Sequence, residues 1–338
     1  MTFKICVIGC GYITQASHGP AYRLYARQHP DVELSACCDT DLPRAERVRA
    51  ETGFARAYSD AFQMLAVEQP DAVCLNVPVQ LTASLGERIL ALGIPLLTEK
   101  PPALTADEID RLAARAAGAG CIHQVAFNRR FAPLVVALKD WLQDQPILHV
   151  EHTFTRVARR DPDFSTTAIH GIDTLRHLLG CDYAHLRIQY PPVGHGEGGQ
   201  PPVVSFILDG SFENGASVHL LFQPLSGQAS ERTVVYTPGS TFELRLNHAS
   251  DHPGHLLHYQ NGQLVRALDA ASLCGSSEDY HLSGFYGEDA AFFDAVRAGQ
   301  QPEHTFASAR QSVEIMQVLR ERRGEYKSPQ PPAPAPGR

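Results

Sequence analysis

No stretch of this sequence is long and apolar enough to cross a membrane, and no basic region followed by a hydrophobic segment opens it. Positive charge is also in short supply. Lys and Arg together number 29 against 37 Asp and Glu, a formal net charge of -8, which argues against a polyanion such as nucleic acid as the main partner. Eight cysteines are present, yet none stand in a CxxC spacing and most lie inside apolar runs, where a free thiol behaves as a small hydrophobe. These features lead us to expect a reduced, cytoplasmic protein without structural disulfides. There is no internal repeat, and low complexity is confined to the closing SPQPPAPAPGR, whose Pro and Ala cannot build a core.

What remains is a chain of 338 residues with 43% hydrophobic and 20% charged residues, long enough for two domains. From Phe3 to Gly120, short β-rich runs alternate with helical patterns: KICVI, PAYRLYARQ, VELSACC, RAERVRAETG, DAVCLNV, LTASLGERILALG, IPLLTE and ADEIDRLAARAAGAG. Such alternation predicts parallel strands joined by crossover helices, and Gly53, Gly93, Gly118 and Gly120 mark helix stops. After Cys121 the pattern changes to a helix PLVVALKDWLQ, a strand-like ILHVEHTFTRV, one helix near 168 to 179 and then mostly strands, with Asn261-Gly262 as a hairpin turn, before two closing helices, GEDAAFFDAVRAG and FASARQSVEIMQVLRERRG. The expected fold is α/β, with a Rossmann-type doubly wound parallel sheet over residues 1–122. An α+β domain with an open, mainly antiparallel sheet follows over 123–323, and a Pro/Ala-rich tail over 324–338.

The first strand ends in Gly9-Cys10-Gly11-Tyr12-Ile13-Thr14, the strand-turn-helix setting in which missing side chains let backbone N–H groups approach a pyrophosphate. Thr14 stands where a third glycine is usual, so helix and strand are expected slightly further apart. The second strand ends at Asp39, whose carboxylate can accept from both ribose hydroxyls and would repel a 2′-phosphate. That favours NAD, while Arg44 nearby keeps NADP open. The expected cofactor-facing set is Gly9, Gly11, Tyr12, Ile13, Asp39, Arg44, Asn76, Pro78, Glu99 and Lys100.

Three constellations carry the chemistry. LLTEKPP, residues 96 to 102, places Glu99 and Lys100 at the end of the fifth strand, where a lysine beside a nicotinamide can share a proton with a substrate oxygen. FNRRF, residues 127 to 131, offers Asn128 and Arg129 to substrate oxygens, with Arg130 read as structural. TTAIHGIDTLRHLLG, residues 166 to 180, reads as a helix with Ile172, Leu175, Leu178 and Leu179 on its apolar side and His170, Asp173 and His177 on another face. His170 near the helix start suits a neutral imidazole acting as a base, with Asp173 orienting it. The histidines 248, 252, 255 and 258 are read as a decoy, and no metal site is expected.

In this order, GCGYIT, Asp39, TEKPP, FNRRF and HGIDTLRHLLG resemble the Gfo/Idh/MocA family of oxidoreductases, over roughly residues 3 to 323. The resemblance implies a Rossmann domain, a C-terminal sheet used for assembly as a homodimer or homotetramer, and NAD(P)-dependent hydride transfer on sugars, cyclitols or related compounds. It makes Lys100 and His170 the catalytic pair, with Asn128, Arg129, Thr166 and Asp173 around the substrate. One departure is that many polyol-oxidising members resemble one another in an Asp four residues before that histidine, whereas Thr166 stands here. A non-catalytic NAD(P)-binding sensor and a lyase or glycosidase with tightly held NAD are the alternative readings.

Overall fold

The computed structural model describes residues 2–161, 163–195, 202–247 and 254–329. They form two compact units, one of the described residues up to 137 with 269–317 and the other of those within 138–268 with 318–329.

In the first unit, six strands lie in the order β3-β2-β1-β4-β5-β6, all parallel. They are β1 Phe3–Ile8, β2 Val32–Cys38, β3 Arg56–Tyr58, β4 Ala72–Leu75, β5 Leu96–Glu99 and β6 His123–Ala126. Sequence-adjacent strands joined by helices are what the β-rich and helical alternation requires, and this strand order reverses direction between β1 and β4. Helices α1 Gly19–Gln28, α2 Leu42–Thr52, α3 Ala61–Glu68, α4 Val79–Leu90 and α5 Ala106–Ala119 make the crossovers. Their starts are written in short polar side chains. Asp41 accepts from the Arg44 N–H, Asp60 from those of Phe62 and Gln63, and Thr105 from that of Glu108. Gly53 and Gly120 end α2 and α5 in the left-handed conformation that glycine takes without penalty, while Gly118 lies inside α5 and stops nothing. All eight cysteines are free thiols.

A 3-10 turn at Asn128–Phe131 and α6 Pro133–Trp141 lead into the second unit. Its larger sheet has the order β16-β15-β14-β13-β7-β12-β11-β8-β17. The strands are β7 His149–Thr155, β8 Tyr183–Gln189, β11 Phe206–Phe212, β12 Ser217–Gln223, β13 Ser230–Thr237, β14 Ser240–Leu246, β15 His255–Gln260, β16 Gln263–Asp269 and β17 Glu325–Lys327, with β9 Pro192–Gly194 and β10 Val203–Val204 as a separate pair. β7 runs parallel to β12 and the other registered pairs of this sheet are antiparallel, so the expected open, mainly antiparallel sheet is present. Asn261 and Gly262 both take positive φ between β15 and β16, as a tight hairpin turn demands. β7 alternates buried and half-exposed residues: Val150, His152 and Phe154 point into the core. Helix α7 Ser165–Leu179 packs there through Gly171, where any Cβ would stand 2.4 Å from the His152 ring nitrogen.

Three expectations change. Residues 269–317, carrying α8 Ala270–Cys274, α9 Asp279–Leu282 and α10 Phe285–Ala298, cluster with the first unit, because Phe292 and Phe293 complete its core beside Tyr22, Tyr25 and Phe54. Within the stretch read as a tail, Glu325–Lys327 pairs with β8, while 330–338 lie outside the described residues. Finally, α7 has no polar face: residues 167–175 are all buried, His170 and Asp173 among them, since the helix is enclosed rather than laid on a surface. The last helix, α11 Phe306–Arg320, ends the set.

Candidate active site

β1 stops at Gly9 because the backbone there must do what a side chain forbids. Gly9 has φ +99°, and an added Cβ would lie 2.1 Å from the Asn76 carbonyl oxygen. Its N–H donates to Cys38 O and the Asn76 N–H donates to Ile8 O, both at 2.8 Å, so the glycine is clamped between the ends of β2 and β4. Gly11 is different: nothing stands within 4 Å of its absent Cβ, so its bare backbone faces open space. The chain then turns helical through a π-helical turn, Thr14–His18, continuous with α1. Orphan N–H groups belong to such a start. Thr14 is fully buried and donates to Gly9 O at 2.7 Å, tying helix to strand end through its hydroxyl.

Asp39 locks the same loop. Its Oδ2 accepts from the Cys10 N–H and its Oδ1 from the Asp41 N–H, both at 2.9 Å, while Arg44 stands 3.5 Å from Oδ2. Each oxygen keeps a lone pair for a hydroxyl donor. These acceptor oxygens and the open backbone at Gly11 fit the adenosine ribose and pyrophosphate of a dinucleotide. Tyr12 is 82% exposed at the loop's tip. Asn76 is buried, its amide donating to Thr14 Oγ1 at 3.1 Å and Tyr22 OH at 3.2 Å, and its Oδ1 has no hydrogen-bond partner. Pro78 precedes the first residue of α4.

Glu99 ends β5, and the Lys100–Pro101 peptide is cis. Glu99 is turned inward onto His18, whose Nε2 lies 3.0 Å from its Oε1; His18 Nδ1 lies 3.0 and 3.1 Å from the two oxygens of Asp289 on α10. Glu288, next in line, is fully buried, and neither of its carboxyl oxygens has a hydrogen-bond partner. The sequence reading missed His18, Glu288 and Asp289. Burial pulls the His18 imidazole down, but the Asp289 and Glu99 carboxylates outweigh it and hold it well above its usual range. Burial, joined by the Asp289 and Glu99 charges and opposed by His18 and Arg129, pushes Glu288 well above its usual range and so favours its neutral form. Glu99 is pushed up by burial but pulled below its usual range overall by the His18 hydrogen bond and then Lys100. Asp289 is raised by burial against His18; both shifts in this pair say that its proton is hard to remove.

These shifts have a stability sign. A histidine raised in the fold stabilises fully below about pH 6.5 and loses that contribution as pH climbs through its raised value. A carboxyl raised in the fold, as at Glu288, costs stability as soon as the unfolded chain begins to ionise, above about pH 4.5. Both act in one direction. Thermal unfolding followed from pH 5 to pH 9 is therefore expected to show a falling Tm, with a shallower fall in Glu288→Gln.

Of the proposed substrate residues, Asn128 is buried and its amide donates to Ser283 O at 2.7 Å, while Arg129 donates to its Oδ1 at 3.2 Å. Arg130 reaches the His304 ring at 2.8 Å and lies over Phe127, consistent with its structural reading. In the second unit, α7 carries Thr166, His170 and Asp173. His170 is the sixth residue of α7, past the first turn in which the helix dipole acts, so the proposed dipole effect on it does not hold. Thr166 donates to Asp163 O at 3.3 Å, and Arg176 lies 4.0 Å from Asp173. Of the four decoy histidines, His248 and His252 lie outside the described residues, and His258 stacks on Phe242.

Residues 3–127 match the oxidoreductase family with an NAD-binding Rossmann fold. This region belongs to the Gfo/Idh/MocA family of oxidoreductases. Inositol 2-dehydrogenase of Ralstonia nicotianae is 31% identical over 201 residues, a match covering 56% of this chain; the chain spans 58% of that relative's length. Among solved structures, an oxidoreductase domain protein from Kribbella flavida superposes with a TM-score of 0.83 at 19% identity, over 98% of this chain and all of that one. A levoglucosan dehydrogenase in complex with NADH and levoglucosan does so with 0.79 at 18% identity, over 98% and 100%. At such identities the likeness is one of fold. With the Gfo/Idh/MocA region come an NAD-binding Rossmann fold and the architecture expected from the sequence. No helix among the described residues is long and apolar enough to cross a membrane.

Proposed function

We propose that the chain is an NAD(H)-dependent dehydrogenase that transfers hydride between the nicotinamide and a carbinol carbon of a sugar, cyclitol or sugar-derived substrate. The observation that carries the reading is the loop from Gly9 to Thr14, clamped by Asn76, Cys38 and Asp39 so that its bare backbone stays open, with Lys100 at the end of β5 in the same sheet. Ligands of open parallel sheets bind beyond the carboxyl ends of the strands, where that loop and Lys100 both lie.

The bound dinucleotide would supply the hydride acceptor or donor. Gly9 and Gly11 would admit its diphosphate, and Asp39 would take the ribose hydroxyls with a preference for NAD over NADP. Lys100 Nζ would receive the proton of the substrate hydroxyl during oxidation and return it during reduction. His170 is the second proposed acid/base, with Thr166, Asp173, Asn128 and Arg129 as substrate residues; the internal bonds of Asn128 give it a supporting share through the loop it holds.

The relatives named above support a cyclitol or anhydrosugar as first choice. The test is calorimetry with NADH and NADPH, followed by absorbance at the nicotinamide band with a panel of inositols, aldoses, ketoses and anhydrosugars. NADH binding tighter than NADPH, with turnover of at least one panel member, is the expected result. Absence of binding to either coenzyme would overturn the reading. Tight NADH binding without hydride exchange favours a sensor, the alternative to which Thr166 in place of a carboxylate points.

A further inference from the structure

The largest unmet demand in the first unit is at Glu288. Its side chain is fully buried on α10, and neither carboxyl oxygen has a hydrogen-bond partner. Ionised, it is a charge without a counterion in a dry place; protonated, it carries an O–H with no acceptor. Either state leaves a cost that native interiors rarely carry. A bound cation removes it, because a carboxylate lone pair can be given to an ion where no N–H or O–H reaches.

The neighbours of Glu288 are placed for such an ion. One ligand-type atom from each of His18, Glu288 and Asp289 lies within 4.8 Å of the other two, and all three residues are buried. His18 Nδ1 stands 3.0 and 3.1 Å from the two Asp289 oxygens. With metal–ligand bonds of about 2.0–2.2 Å, tetrahedral neighbours sit roughly 3.4 Å apart, so small movements admit an ion between these atoms. On the far side of the ring, Nε2 lies 3.0 Å from Glu99 Oε1 at the end of β5. Proteins commonly orient a ligating imidazole in this way, with one nitrogen toward the ion and the other N–H donated to a carboxylate. Once Nε2 holds the proton, Nδ1 keeps a lone pair for the ion. Tyr22, stacked on the ring with centroids 5.7 Å apart, and Phe285, edge-on at 5.1 Å, exclude water from it.

We propose that His18, Glu288 and Asp289 form a binding site for one divalent transition-metal ion, best matched by zinc, with Glu99 as the carboxylate that orients the His18 ring. Two carboxylates cancel the double charge of the ion, and the ion gives Glu288 the partner that the protein's own donors do not. Imidazole nitrogen among the ligands favours zinc over magnesium, which takes oxygen ligands in an octahedron and keeps its waters. The enclosure of all three ligands makes the ion structural rather than catalytic. It would staple α10 to the π-helical turn that follows the dinucleotide loop, within one compact unit. His18 and Asp289 lie 271 positions apart, so no local spacing in the sequence announces the site.

The full chain, made without a histidine tag, is expressed in zinc-supplemented and in zinc-depleted medium. Metal content is measured by inductively coupled plasma mass spectrometry, and the ion is located by anomalous diffraction at the zinc edge. About one equivalent of zinc per chain is expected from the supplemented medium, with its anomalous peak between His18, Glu288 and Asp289. Zinc-depleted protein should melt about 5 °C or more below the loaded form, and added zinc, but not magnesium, should restore the difference. Glu288→Gln keeps the shape of the protonated acid and removes an anionic ligand. It should fold, lose the zinc peak and melt alike from both media. Asp289→Asn repeats the comparison if Glu288→Gln fails to fold.

Supplemented wild-type protein without zinc would overturn the proposal, as would an anomalous peak elsewhere only, equal zinc at the cluster in Glu288→Gln and the wild type, or equal stabilisation by magnesium. None of these measurements uses coenzyme or substrate, so their outcome is independent of the proposed function.

Discussion

Lys100→Ala should lower kcat by about 10²- to 10⁴-fold, the range that a positioned proton-transfer group contributes, while NADH still binds with near wild-type affinity. The expectation follows from the placement of the two functions on different strand ends. The dinucleotide loop is built from β1, β2 and β4 through Gly9, Asp39 and Asn76, whereas Lys100 leaves β5. Truncating its side chain removes a proton carrier and leaves those backbone bonds in place. Lys100→Arg makes the point sharper: a guanidinium keeps the charge but does not give up its proton in this pH range, so it should restore binding electrostatics without restoring turnover. Stopped-flow measurement of hydride transfer, beside NADH titration by fluorescence, checks both halves. Near wild-type turnover in Lys100→Ala would remove the lysine from the mechanism.

Gly9→Ala should cost on the order of 3 kcal/mol of stability and abolish detectable NADH binding. Two penalties add here. A β-carbon at φ +99° is strained by roughly 1–3 kcal/mol, and at 2.1 Å from the Asn76 carbonyl it also requires β1 and β4 to separate where they are pinned by the Asn76 to Ile8 hydrogen bond. Gly11→Ala is the control. Its Cβ meets no protein atom within 4 Å, so stability should hold while coenzyme affinity falls, because the space belongs to the diphosphate. Chemical denaturation of the two variants, each with and without NADH, separates a broken loop from a blocked one. Equal stability of both alanine variants would show that Gly9 is not the clamp described.

Much of the first sheet was legible because parallel strands write themselves as apolar runs spaced by helical patterns, whereas the helix caps Asp41, Asp60 and Thr105 emerged only in the structure. Asp39 was legible too, though its grip on the Cys10 amide was not. The inward-facing acids of α10 were missed because nothing in the adjacent pair Glu288 and Asp289, taken as two residues, sets them apart from the acidic first turn of an ordinary surface helix. Yet Asp289 heads the stripe Phe292, Phe293 and Val296 at intervals of three, four and seven, so a charge on the apolar face was visible in the spacing. His18 heads Tyr22 and Tyr25 in the same way on α1. A titratable residue leading a buried stripe is a signal for a buried charge needing a partner. No periodicity says which distant residue that partner is, since Asp289 and His18 lie 271 positions apart.

That separation governs how the chain can acquire its shape. The six-stranded sheet is synthesised by residue 126, but Phe292 and Phe293, which close its core, follow about half a chain length later. During elongation the nascent sheet therefore carries an uncovered greasy flank and an unneutralised Glu99 and His18, a long-range closure that slows folding and invites chaperone capture until α10 leaves the ribosome. Expression of fragments ending before residue 285 should accordingly yield insoluble material rather than a working nucleotide domain.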